Sequence, residues 1–174
     1  NTLYFKGGNL ELRAAATVFT GKLDTTNAGG TIYINPASSG NGVTHTISGA
    51  TTLGTNTIVI SAGTLTTNNT AYGLTLSGAS TLSGNPTFTI NGNGSATGTL
   101  TISGGFNTGG VTRTVTFDSG TGTSAASISG AFAGSAGILD LAGTTPTVTV
   151  GALTTTANAV RVSGTGTYTF SGAS

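Results

Sequence analysis

TLTISG, at Thr99–Gly104, alternates polar and apolar residues and then ends in glycine. Alternation over four or five positions is the period of a half-buried β-strand, and β-branched residues such as Thr and Ile suit such a strand. Glycine directly after a strand permits the backbone angles of a sharp corner. The stretch therefore predicts a short strand and a turn, with Leu100 and Ile102 facing a core and Thr101 facing outward.

Copies of this unit recur along nearly the whole chain. The closest are Thr44–Gly49, Gly73–Gly78, Thr87–Gly92, Ala125–Gly130, Ile138–Gly143, Ala159–Gly164 and Thr167–Gly172, and looser ones are Thr31–Pro36, Thr57–Gly63, Thr114–Gly120 and Thr147–Gly151. Successive units start roughly a dozen residues apart, which indicates a repeat architecture. Two units with their corners give a rung of roughly 24 residues, a suitable length for one coil of a solenoid. The chain then holds about seven rungs, or a stack roughly 35 Å tall.

We therefore predict an all-β fold, a parallel β-solenoid (β-helix) of about seven rungs in a single domain. A β-sandwich is the alternative, because it also consists of short strands with frequent turns. The similarity of successive units favours the solenoid, since a sandwich places its strands in different environments. Residues 31–174 are the predicted solenoid repeat domain. Residues 1–30 carry more than half of the charged residues and are predicted to be an atypical N-terminal cap or assembly strand.

Low charge and missing residue types argue against several functions. The net charge is +1 with 5 Lys and Arg in 174 residues, so no basic surface for nucleic acid is expected. The absence of Cys excludes disulfides and thiolate metal sites. No apolar run is long enough for a membrane helix.

Residues with catalytic potential are few and scattered. His45 is the single histidine, and it takes an inward position of its unit, so we expect it to be a packed residue. The four carboxylates are spread along the chain, at Glu11, Asp24, Asp118 and Asp140. Acid–base catalysis and calcium binding both need such groups in clusters. We therefore expect no enzyme activity, no catalytic or metal site, and no cofactor.

The two ends of the predicted solenoid are candidate assembly sites. The chain ends SGAS at Ser174, whereas the same letters at Ser77–Ser80 continue into Thr81-Leu82, so Asn1-Thr2-Leu3 of a second copy would extend the pattern. An uncapped end exposes unpaired N–H and C=O groups, and low charge removes the repulsion that blocks edge pairing. We therefore predict a head-to-tail filament in which the partner is the protein itself. The alternative is a piece of a larger protein. The predicted interface residues are Asn1, Thr2, Leu3, Tyr4, Phe5, Thr167, Tyr168, Thr169, Phe170, Ser171 and Ser174.

Thr-x-Thr pairs offer a second candidate surface. If their units align, these pairs form outward ladders that resemble those of β-helical ice-binding proteins. The predicted ladder residues are Thr87, Thr89, Thr99, Thr101, Thr114, Thr116, Thr147 and Thr149. Ice binding is therefore an alternative function, although Thr also suits any outward strand position.

The units TLTISG, GLTLSG and TYTFSG, together with SGAS-TLSG at Ser77–Gly84, resemble the repeats of bacterial autotransporter-type passenger domains and related surface β-helices. The resemblance extends over Thr31–Ser174. It implies a secreted bacterial protein, extracellular or on the cell surface, with a structural or adhesive role and with partners there or in the extracellular matrix. A chain that begins at Asn1 is then expected to be a mature form after signal removal, or a fragment of an adhesin passenger domain.

Overall fold

The computed structural model describes residues 1–133, 137–144, 146–151 and 159–171. The described residues form strands and turns without a helix, so none of them forms a helix that could cross a membrane. In chain order the strands are β1 (Thr2–Tyr4), β2 (Asn9–Arg13), β3 (Val18–Phe19), β4 (Lys22–Asp24), β5 (Gly30–Asn35), β6 (Thr44–Ile47), β7 (Thr51–Leu53), β8 (Thr57–Ala62), β9 (Tyr72–Leu76), β10 (Ser80–Leu82), β11 (Thr87–Ile90), β12 (Gly98–Ile102), β13 (Phe106–Asn107), β14 (Arg113–Ser119), β15 (Ser124–Ile128), β16 (Phe132–Ala133), β17 (Ile138–Ala142), β18 (Thr147–Val150), β19 (Ala159–Val162) and β20 (Thr167–Phe170).

These strands form three sheets, here named A, B and C in the order in which the chain visits them. Sheet A is β1-β4-β7-β10-β13-β16, sheet B is β2-β5-β8-β11-β14-β17-β19, and sheet C is β3-β6-β9-β12-β15-β18-β20. Strands pair in parallel with their counterparts in the neighbouring turns, as in the pairs of β12 with β9 and β15. The chain therefore winds as a parallel β-solenoid, which confirms the predicted fold class.

A complete turn has three strands, one in each sheet, whereas two were predicted from the sequence. The recognisable repeat units all lie on sheets B and C. The strands of sheet A, such as β7 and β10, contain only two or three residues, which is too short to show alternation. Of the seven strands in each of sheets B and C, two are edges, so about five turns are enclosed on both sides. That number is slightly smaller than the seven rungs predicted.

The core is a set of apolar ladders inside the coil. In β12, Leu100 and Ile102 are fully buried, while Thr101 between them is partly exposed, as the alternation predicts. Leu100 lies between Leu74 and Ala126 of the neighbouring turns. Aromatic residues stack in the same way, with the rings of Phe88 and Phe117 at 5.8 Å and those of Phe106 and Phe132 at 6.2 Å. Such pairs stabilise the stack beyond the burial of their area.

The Ser-Gly pairs that follow β6, β9, β12 and β15 form the corner between sheets C and A. A Cβ atom built on Gly78 would clash with the carbonyl oxygen of Gly49 in the turn before, and one on Gly104 would clash with that of Gly78. None of these three glycines has a positive φ. The corner therefore requires glycine because backbones approach closely, and not because of the turn angles that the sequence pattern indicated.

The middle turns contain more residues than the terminal ones. Thr2 pairs with Lys22 in the first turn, and Thr147 pairs with Thr167 in the last, so these two turns are equally long. In the middle of the stack Thr57 pairs with Thr87, which makes that turn half as long again. Most additional residues lie at the corner between sheets B and C, at 36–43, 63–71 and 91–97.

These longer corners stack into a ridge outside the core. The Thr67 N–H donates to Gly40 O at 2.8 Å, and Asn93 Nδ2 donates to Thr67 O at 2.8 Å. Asn69 has a φ of 61°, and its Oδ1 accepts from the Ser95 N–H at 2.7 Å. The long corners of successive turns are therefore hydrogen-bonded to one another. The apolar ladders of the core run beneath this ridge.

Candidate functional site

The N-terminal end of the solenoid is open. Strands β1, β2 and β3 are the edges of the three sheets at this end. Beneath them the core opens to solvent through a hollow of about 350 Å³ with mostly apolar walls. Leu3 and Leu10 of the first turn line this hollow with Leu23 of the second, and Leu3 is 44% exposed. Leu3 and Leu10 are therefore partly exposed to solvent, because none of the described residues stacks on the first turn, whereas Leu12 is buried.

The C-terminal end presents a comparable surface. Strands β19 and β20 are the edges of sheets B and C. Val162 pairs with Leu141, and Phe170 pairs with Val150. Leu141 and Val150 are fully buried, but Val162 is 40% exposed and Phe170 is 47% exposed. Both residues thus occupy core positions on which no described strand stacks.

Backbone groups at this end also point outward along the axis. The Ser171 N–H donates to Val150 O at 2.8 Å, towards the body of the molecule. Because hydrogen-bonding direction alternates along a parallel strand, the N–H and C=O groups of Tyr168 and Phe170 point to the open side. The Tyr168 ring is half-buried, and this burial raises the pKa of its phenol. Among the described strands, β20 is therefore an unpaired edge, and it carries a partly desolvated aromatic side chain.

The predicted interface residues are placed at these ends, but on different sheets. Thr2, Leu3 and Tyr4 form β1 at the edge of sheet A, and Thr167–Phe170 form β20 at the edge of sheet C. Asn1 precedes β1, and its carbonyl accepts from the Lys22 N–H at 3.0 Å. Phe5 is buried and donates its N–H to Asp24 O at 2.7 Å. Ser171 follows β20, and Ser174 lies outside the described residues.

The predicted interface leaves out three of the end strands, β2, β3 and β19. In a stack of solenoids, β3 is the edge opposite β20 in sheet C, and β2 is the edge opposite β19 in sheet B. Alternation in NLELR at Asn9–Arg13 and AVRV at Ala159–Val162 carries the signal for two of them. β3 has only two residues and leaves no such signal.

The predicted threonine ladder is divided between two sheets. Thr99, Thr101, Thr147 and Thr149 lie on sheet C, and Thr87, Thr89, Thr114 and Thr116 lie on sheet B. On sheet B the pairs are out of register, since Thr87 stands beside Thr116 and Thr89 beside Asp118.

Sheet C, in contrast, carries one nearly continuous column of hydroxyl side chains. Successive pairings align the outward residues Thr46, Thr75, Thr101, Ser127, Thr149 and Thr169. The second outward column of the sheet is interrupted by Gly73 and Ala125. No described outward residue of the sheet C strands is charged.

His45 is fully buried, as the sequence predicts. Its Nε2 donates to Asn35 O at 2.8 Å, and its ring meets that of Phe19 edge-on at 5.5 Å. Its Nδ1 has no partner among the described residues. With Asn35 itself 2% exposed, the ring packs against the start of the ridge and faces no open cleft.

Asp140 is the most enclosed carboxylate among the described residues. The sequence places it at an outward position, and there Arg161 of the adjacent strand covers it, with Nη2 to Oδ2 at 2.8 Å. The guanidinium of Arg161 holds the pKa of Asp140 below its ordinary value, although burial acts in the opposite direction. Within the described ranges no group of three or more His, Asp or Glu side chains could hold a metal ion.

Comparison of the chain with protein-family models, with curated proteins and with solved structures gives no match.

Proposed function

We propose that this protein is an extracellular structural protein whose solenoids stack head to tail into a filament. In such a stack β20 lies beside β3 of the next copy, and β19 lies beside β2. The interface is heterologous, and because each copy is added along the solenoid axis, the assembly grows as an open filament and not as a ring. The extracellular location is part of the proposal and derives from the resemblance to surface β-helices.

The observation that carries this proposal is where the exposed apolar side chains lie. Of six large hydrophobic residues that are exposed among the described residues, Val111 alone lies away from the end strands. The other five are Leu3, Tyr4, Val18, Val162 and Phe170. Exposed apolar surface that is concentrated in this way is typical of an interaction site.

Two further features favour a second copy as the occupant of each end. The first turn, from Thr2 to its partner Lys22, contains as many residues as the last, from Thr147 to its partner Thr167. The edge strands β1, β3 and β20 contain no charged residue, whereas proteins that avoid edge pairing place charges there.

The test is electron microscopy and sedimentation of the purified protein over a range of concentrations. We expect filaments with an axial repeat of roughly 35 Å, the height of seven stacked strands. Val162→Lys should abolish them, because a charge would be buried at the junction. Val111→Lys is the matched control, since Val111 is similarly exposed in a side loop. Monomers at every concentration, or filaments unaffected by Val162→Lys, would contradict the proposal.

A backbone variant tests strand pairing itself. Phe170→Pro removes an N–H that points to the open side, so it should stop growth while the folded monomer persists. Thr169→Pro is a poorer choice, because the alternation directs the Thr169 N–H towards β18 within the subunit.

An adhesin passenger fragment would instead show saturable binding to a cell-surface or matrix partner by monomers that never polymerise.

Ice binding is the second candidate, and the hydroxyl column on sheet C favours it. A flat sheet with regularly spaced threonines and no charge can present a repeating array of hydroxyl and methyl groups. Thermal hysteresis measures the activity, and Thr101→Lys on sheet C should reduce it. Thr89→Lys on sheet B is the matched control. No hysteresis in the unmodified protein would remove this candidate.

A further inference from the structure

The outer face of sheet B contains a groove near the N-terminal end, formed by side chains of the edge strand β2, of its neighbour β5 and of the corner after β8. Its volume is about 390 Å³, which is within the usual range for small-molecule sites. The lining residues are Asn9, Glu11, Tyr33, Asn35, Gly63 and Thr64. The groove thus combines an aromatic ring, a carboxylate and amides on the two adjacent strands β2 and β5 with the corner that follows β8.

Tyr33 occupies an outward strand position where most units of the repeat carry threonine. It stands between Glu11 of β2 and Ser61 of β8. No other described outward residue of sheets B and C is aromatic. Its ring is partly exposed, and its hydroxyl makes no hydrogen bond to the described part of the chain. The side chain therefore offers an apolar face with a polar tip.

Glu11 is held in place by a buried asparagine. Asn35 is 2% exposed, and its Nδ2 donates to Glu11 Oε1 at 2.9 Å. Asn35 is itself fixed, because its Oδ1 accepts from the Leu65 N–H at 2.9 Å and its carbonyl accepts from His45 Nε2 at 2.8 Å. One carboxylate oxygen of Glu11 is thus oriented from below, and the other makes no bond to the described residues. Such orientation lowers the entropy cost of binding a ligand.

We propose that this groove binds one unit of a neutral carbohydrate, with the apolar face of a pyranose ring on Tyr33. Sugar hydroxyls donate to the free oxygen of Glu11 and bond to the amide of Asn9. An anionic ligand is disfavoured, because the lining contains a carboxylate and no cation. A metal ion is disfavoured by the single carboxylate. A purely apolar ligand would leave Glu11 and Asn9 desolvated and unpaired.

Ligand-observed saturation-transfer NMR tests this proposal, since it works on monomers and on polymers alike. The probes are methyl β-glucoside, methyl β-galactoside and chitobiose at up to about 50 mM, because single sugar units bind at millimolar affinity or weaker at small sites. With at least one probe we expect transfer that is strongest for the C–H protons of one ring face. Tyr33→Ala should abolish it, and Glu11→Gln should weaken binding at least about tenfold.

Two further variants separate recognition from folding. Tyr33→Phe keeps the ring and should retain transfer, whereas Tyr4→Ala removes an exposed tyrosine on sheet A and should leave the saturation transfer unchanged. The proposal is overturned if no probe gives transfer, or if Tyr33→Ala binds as well as the unmodified protein. Filament formation is scored separately by electron microscopy, so a failure of sugar binding and a failure of stacking are distinguishable.

Discussion

Gly49, Gly78 and Gly104 stack on one another at the corner between sheets C and A, and their role depends on the turn before them. Each lacks room for a Cβ atom because a backbone carbonyl of the preceding turn occupies that space. A carbonyl in a stacked corner cannot rotate away as a flexible side chain can. A methyl group at such a position therefore separates two turns and strains all three sheets.

Gly78→Ala should lower the free energy of unfolding by about 2 kcal/mol or more, through overpacking of backbone against backbone. Gly21 belongs to the same column, but only Asn1 O, at 3.8 Å, lies within contact distance of a Cβ built there. Gly21→Ala should therefore change stability by less than about 0.5 kcal/mol. Urea denaturation of the two variants measures the difference, and equal losses would show that turn angles are the common requirement.

The buried Tyr72 predicts that the stability of the fold depends on pH. It is 2% exposed, and its hydroxyl lies 3.0 Å from Ile60 O and also contacts Asn91 O. Burial raises the pKa of the phenol above its ordinary value. A group whose pKa is higher in the folded than in the unfolded state stabilises the fold while it is protonated. For Tyr72 this stabilisation is complete below the pKa of an unfolded tyrosine, about 10, and it is lost as the pH rises above that value.

The melting temperature should therefore fall as the pH is raised above about 10. Tyr72→Phe should melt lower at neutral pH, by an amount equivalent to about 1 kcal/mol, because buried carbonyls lose a donor. Its melting temperature should decline less in alkali, with Tyr168 supplying a residual slope. Identical slopes for the variant and the unmodified protein would contradict the assignment.

At the scale of the strand, the position of a side chain in the stack decides how much it contributes to the stability of the monomer. Leu100 in β12 is fully enclosed, whereas Leu3 in β1 faces the same interior at the open end. Leu100→Ala should cost about 2–5 kcal/mol through lost burial and a cavity. Leu3→Ala should cost less than about 1 kcal/mol in the monomer, because the side chain is already half-exposed. Chemical denaturation at low protein concentration compares them, and similar losses would argue against an open end.

Strand length explains which elements could be predicted from the sequence. β11, β12 and β18 each span four or five residues, so alternation predicts correctly that Phe88, Leu100 and Val148 point inward. The short strands of sheet A show no period, and their existence follows only from pairing with counterparts a whole turn away in the sequence. A rung with two strands was therefore the natural prediction, and the third strand required the structure.

For the whole molecule, stability should decrease from the middle towards both ends. Each turn contacts only its neighbours, so terminal turns are held from one side alone. In native-state hydrogen exchange, the amides of Leu100 and Ile102 should exchange slowest in the monomer, and those of Tyr168 and Phe170 fastest. In the proposed filament the latter two should become protected as protein concentration rises. Uniform exchange along the chain would show that the solenoid opens as a single unit.

The candidate sites differ in how far sequence could indicate them. Both ends were predicted as candidate assembly sites, because a repeat without a distinct final unit leaves edge strands unpaired, although the first 30 residues were equally interpreted as a cap. The groove was not predicted, although Tyr33 at a threonine position in TIYINP was a visible signal. Its partners Glu11 and Thr64 are far apart in the sequence and meet only when the turns stack. The division of the threonine ladder between two sheets likewise depends on the number of strands per turn.

The parallel pairing of all three sheets has a mechanical consequence. Hydrogen bonds between turns lie along the long axis, so a force that pulls the two ends apart loads the bonds of one terminal turn at a time. Such a molecule should yield by peeling, in a series of small, similar steps, and not by one abrupt rupture. Each step releases the residues of a single turn, or about 70–100 Å of extended chain. A fibre of stacked copies would then lengthen under load and absorb energy before it breaks.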